Sequence, residues 1–146
     1  MNTVSLSIFH NMKKVISSGL IAGIILFIIS YGGLYFTIHF FPEVFVEYNN
    51  PLFYSSSGRD MLFYTHAFII SLALSFFWER FKGMFKGNFF VRGLEFGLIY
   101  SLVALLPVMW ITFSSLDITF VMVASWFIYG LFQALVAGIL FARINP

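Results

Sequence analysis

The sequence predicts an all-α membrane protein with four transmembrane helices in a bundle and both ends of the chain in the cytoplasm. Three observations carry that prediction. Of 146 residues, 60% are hydrophobic and only 10% are charged, against about 25% charged in an ordinary soluble domain. A small domain has a high surface-to-volume ratio, so this few charges cannot cover it in water. The charges also bracket four long uncharged stretches. Finally, if those stretches alternate across a bilayer, every basic residue except Arg59 falls on one side.

The first uncharged stretch runs from Val15 to Pro42. A helix of about 20 apolar residues spans a hydrocarbon core of about 30 Å, so this one is long enough to tilt or to protrude into the headgroups. Lys13 and Lys14 precede it as the n-region of a signal peptide would. The apolar run exceeds a signal peptide's core, however, and no A-x-A-like cleavage site follows, so a retained helix over about 15–41 is expected. The second stretch, Met61 to Trp78, lies between Asp60 and Glu79 and predicts a helix over 61–79. The third, Phe96 to Leu116, lies between Glu95 and Asp117 and predicts a helix over 93–115, with a kink at Pro107. The fourth, Ile118 to Ala142, ends at Arg143 and predicts a helix over 119–142. Residues 1–146 then form a single integral membrane domain.

Orientation follows from the basic residues. Lys13, Lys14, Arg80, Lys82, Lys86, Arg92 and Arg143 share one predicted side, and short loops rich in Lys and Arg stay cytoplasmic. A multi-pass protein of a bacterial-type inner (plasma) membrane, N-in and C-in, is expected. Trp78, Trp110 and Trp126 lie near predicted helix ends, as an aromatic belt requires. The loop from Pro42 to Asp60 combines two turn-forming clusters with Phe45, Val46, Tyr48, Leu52, Phe53 and Tyr54, so it is expected to lie against the outer interface. The inner loop interleaves Phe81 and Phe85 with Arg80, Lys82 and Lys86, which suits rings in the headgroup region and cations on anionic lipid.

In lipid, helices associate through close packing and occasional polar contacts, and small residues four apart let two backbones approach. Gly19 and Gly23 mark such a face on the first helix, and Gly93 and Gly97 on the third. The fourth carries Gly130, Ala134, Gly138 and Ala142 at successive four-residue steps. These faces suit contacts within the bundle and a homo-oligomer surface equally. The run from Gly19 to Ile25 also echoes the run from Gly93 to Ile99, a faint sign of a parallel repeat.

Chemistry has little to draw on. The absence of cysteine removes thiolate metal sites and Cys nucleophiles. There is no Gly-rich phosphate loop, no H-E-x-x-H and no G-x-S-x-G, so no catalytic residue, metal site or cofactor is assigned. The basic residues bracket apolar runs, so they point to a membrane and not to nucleic acid. His39 and His66 are predicted at similar depth in the outer leaflet, where two imidazoles suit a haem iron or hydrogen bonds to backbone and headgroups. Glu95 follows Arg92 by three residues, the spacing of a local ion pair, and a proton- or cation-coupling role is the sharper alternative. Gln133 borders the small-residue face of the fourth helix, and with Glu95, Tyr100, Ser101 and Tyr129 it outlines a narrow polar seam. The leading expectation is a non-catalytic structural or accessory subunit, or a homo-oligomer, whose partners are the bilayer and other membrane proteins. A small oligomeric transporter or channel is the first alternative, and a haem- or metal-dependent membrane enzyme the second.

Overall fold

The computed structural model describes residues 3–46 and 60–146. Among them the chain is all-helical, with no strand. Helix α1 (Thr3–Phe40) is followed by the single turn α2 (Glu43–Val46), then α3 (Asp60–Phe81) and α4 (Phe89–Tyr100). A π-helical turn (Ser101–Leu105) joins α4 to α5 (Leu106–Ser115), and α6 (Phe120–Ile144) completes the order. Among the described residues three segments are long and apolar enough to cross a membrane: Met12–Phe40, Phe89–Ser115 and Phe120–Ile144. By length and composition these helices suit a membrane protein, as the composition of the whole chain does. The expected interfacial placement of the outer loop, with Glu47 and Arg59, falls on residues 47–59 and lies outside the described residues.

Local chemistry fixes where the helices start and stop. Before α4, Gly87 takes φ +105°, a backbone conformation that only glycine adopts freely. Asn88 then caps the helix by accepting from the Val91 N–H at 2.9 Å. Thr119 caps α6 in the same way, accepting from the Met122 N–H at 3.3 Å. Helix α1 stops just short of Pro42, which cannot donate to a helical carbonyl. Pro107 does not simply bend its helix. The Leu106 N–H reaches back to the Ser101 carbonyl, five residues away, so the π turn absorbs the disturbance and Pro107 sits in the first turn of α5, where its missing N–H costs least.

The helices pack as two antiparallel pairs. Helix α3 runs back along α1: Gly23 faces Phe68 and Ser71, whereas Gly19 faces Leu72 and Ser75. Helix α6 runs back along α4 in the same manner, with Gly97 against Leu135 and Gly93 against Gly138 and Ile139. Helix α6 also touches α1 and α3, so it joins the pairs. The core gathers at the end where α1 and α4 begin and α3 and α6 finish, around Ala22, Leu26, Leu74, Trp78, Phe96 and Phe141. By contrast α5 contributes no buried residue, and its exposed side chains include Trp110 at 77%.

Candidate functional site

Polar side chains at membrane depth are costly unless they find partners, so their placement decides what the molecule can do chemically. Three groups of them emerge. The first lies midway along the helices, where α1 meets α6. Gln133 is buried, and its amide Nε2 donates to Ser30 Oγ and to Tyr129 Oη, each at 3.1 Å. Ser30 in turn donates to the Leu26 carbonyl of its own helix at 2.6 Å. Beside this node a cleft of about 30 Å³ is lined by Phe27, Ser30, Tyr31, Leu34, His66, Ala67 and Tyr129. The cleft is small, and apolar side chains form most of its lining.

Of the residues proposed for a polar seam, the structure brings Tyr129 and Gln133 together and adds Ser30. Tyr100 is half-buried against the apolar core, and the buried Ser101 donates to the Gly97 carbonyl at 2.8 Å within its own helix. Ser30→Ala and Gln133→Leu are expected to couple by about 0.6 kcal/mol, as interhelical hydrogen bonds in membranes do on average. A double-mutant cycle of unfolding free energies in detergent measures this, and a coupling of zero removes the node as a contributor.

The second group fastens α1 to α3. The buried Ser75 donates to the Val15 carbonyl at 2.5 Å and lies 3.2 Å from Ser18 Oγ. Ser71, also buried, donates to the Phe68 carbonyl. These bonds satisfy the hydroxyls of Ser18, Ser71 and Ser75 between closely packed backbones.

The third group sits at the basic end, and the sequence reading missed it. Asn145, just beyond α6, is 1% exposed. Its carbonyl accepts from Trp78 Nε1 at 2.8 Å, its Oδ1 accepts from Lys82 Nζ at 2.9 Å, and its Nδ2 donates to Glu79 Oε2 at 2.6 Å. Lys82 and Glu79 also form an ion pair at 3.1 Å. Trp78 therefore does not face the headgroups as a belt residue would: it is fully buried, stacked on Phe85 and edge-on to Phe96. The clasp ties the end of α6 to the end of α3.

Two expected contacts come out differently. Arg92 does not pair with Glu95. Its Nη2 donates to the Lys82 carbonyl at 3.2 Å, and its guanidinium lies 5.2 Å from the Trp78 ring centre. Near a helix start Arg92 reaches back to the preceding turn, which leaves Glu95 exposed and without an ion pair among the described residues. His39 and His66 are both exposed, but His66 lines the cleft whereas His39 packs beside Tyr35 and edge-on to Phe40. Among the described residues no three His, Asp or Glu side chains gather in a group suited to a metal ion.

The small-residue faces lie inside the molecule. Gly19 and Gly23 meet α3, Gly93 and Gly97 meet α6, and Gly130 meets Leu105 of the π turn. Ala134, Gly138 and Ala142 are buried on the same α6 face. The chain matches no protein-family model, and neither a curated protein nor a solved structure matches it.

Proposed function

We propose that this is a four-span protein of a bacterial-type inner membrane, N-in and C-in, that acts without catalysis as a structural or accessory subunit or as a homo-oligomer. Four spans require α3 to cross as well. Its 22 residues rise about 33 Å at 1.5 Å per residue, and it runs antiparallel to α1. The observation that carries the functional reading is the use made of the buried polar groups. Gln133, Ser18, Ser75 and Asn145 are each engaged in hydrogen bonds between helices, and the cleft beside Gln133 is small. Such an interior favours packing over turnover.

Two measurements test it. Single cysteines introduced at Lys13, Lys86 and Asp117, in a chain that has none of its own, should label at Lys13 and Lys86 from the cytoplasmic side and at Asp117 from the other. Labelling of Lys13 and Lys86 from opposite sides removes the four-span topology. Mass measurement after purification in mild detergent should return a homo-oligomer or a complex with another membrane protein. A strictly monomeric particle with no companion removes the subunit reading.

A further inference from the structure

The sequence presents its basic residues as equivalent, but the structure divides them. Lys82 is held by Asn145 Oδ1 and Glu79, and Arg92 by the Lys82 carbonyl and the Trp78 ring. Their charges are committed to the clasp. Lys13, Lys14, Arg80, Lys86 and Arg143 are exposed at the same end. Among them stand exposed apolar side chains, with Met84 at 72% and Phe90 at 49%. Arg143 rests 5.3 Å from the Phe89 ring centre, which holds its guanidinium beside the start of α4. Cations spaced by rings and thioethers match the boundary between acyl chains and headgroups, where apolar side chains sit below and charges snorkel to the phosphates. A soluble partner would offer nothing to bury those apolar groups against at membrane level.

We propose that this end of the molecule selects anionic phospholipid through Lys13, Lys14, Arg80, Lys86 and Arg143, and that Lys82 and Arg92 take no part. Zwitterionic lipid brings these cations no net opposite charge. One cation near an anionic headgroup gives about a fivefold preference, which salt weakens by screening. The proposal is independent of which way the protein faces and of what it assembles with.

The test is the association of trace spin-labelled lipid with the full-length protein in phosphatidylcholine bilayers. Spin-labelled phosphatidylglycerol should associate about fivefold more strongly than spin-labelled phosphatidylcholine, and 1 M salt should erase most of the difference. In the K13Q/K14Q/R80Q/K86Q/R143Q variant, whose positions are all exposed, the preference should vanish. The charge-conserving K13R/K14R/R80K/K86R/R143K variant should restore it. K82M should keep the full preference. No preference in the natural protein, a preference surviving in the five-fold Gln variant, or an equal loss in K82M each overturns the proposal.

Discussion

Gly93→Val is expected to force α4 away from α6 and to destabilise the protein by about 3 kcal/mol, the upper part of the range for overpacked cores. A Cβ at Gly93 would lie 2.5 Å from the backbone N and Cα of Ile139. Backbone cannot rotate aside as a side chain can, so the two helices must separate. The facing residue is as constrained, because a Cβ on Gly138 would fall on the Gly93 carbonyl oxygen. Helix α4 packs chiefly on α6, and its other anchors, Phe96 on Trp78 and Arg92 on the Lys82 carbonyl, lie at the same end. Gly32 provides the comparison, since a Cβ there meets nothing within 4 Å. Gly32→Ala should therefore gain up to about 1 kcal/mol from helix propensity alone. Gly93→Ala carries the same intrinsic gain, so any net loss relative to Gly32→Ala isolates the packing term. Thermal unfolding in detergent followed by circular dichroism reads all three variants. Gly93→Val melting with the wild-type protein would mean that α4 and α6 do not meet at this glycine.

Much of the architecture is legible because lipid makes charge placement strict. The limits of α3 at Asp60 and Phe81, and of α6 at Phe120 and Ile144, fall within three residues of the expected 61–79 and 119–142. Helix α1 instead begins at Thr3, well before the uncharged stretch that opens at Val15. The four-residue spacing of Gly93 and Gly97 is equally readable, although the spacing does not say which helix the face will meet. What escaped the sequence depends on helix rotation and on contacts between distant residues. Gln133 finds Ser30 across 103 positions, and no periodicity announces that pairing. Asn145 follows the last charged residue and reads as a helix end, yet its burial depends wholly on Trp78, Glu79 and Lys82 arriving from another helix. Arg92 and Glu95 show the opposite error. Helical spacing allows their ion pair, but at a helix start the preceding turn offers Arg92 both a carbonyl and an indole face.

Trp78→Ala should cost about 3–5 kcal/mol, as truncation of large buried aromatic side chains does, and should loosen the end of α6 along with α3. The indole is fully buried. It stacks on Phe85 with ring centres 5.6 Å apart and an interplanar angle of 3°, and meets Phe96 edge-on at 5.4 Å. Removing it leaves a cavity beneath Arg92 and an Asn145 carbonyl without its indole donor. Trp78→Phe separates these effects. A phenyl ring keeps much of the packing but lacks the N–H, so the variant should lose about 1–2 kcal/mol for an unmet buried acceptor. Asn145→Ala removes the side-chain half of the clasp while leaving the backbone carbonyl for Trp78, and it should sit near Trp78→Phe in stability. Combined with Trp78→Ala it should add less than its own cost, because contacting residues of one network are not additive. Unfolding free energies for the single and double variants in detergent decide the matter. Full additivity, or a Trp78→Ala variant within 1 kcal/mol of the natural protein, would show that Trp78 and Asn145 do not act as one unit.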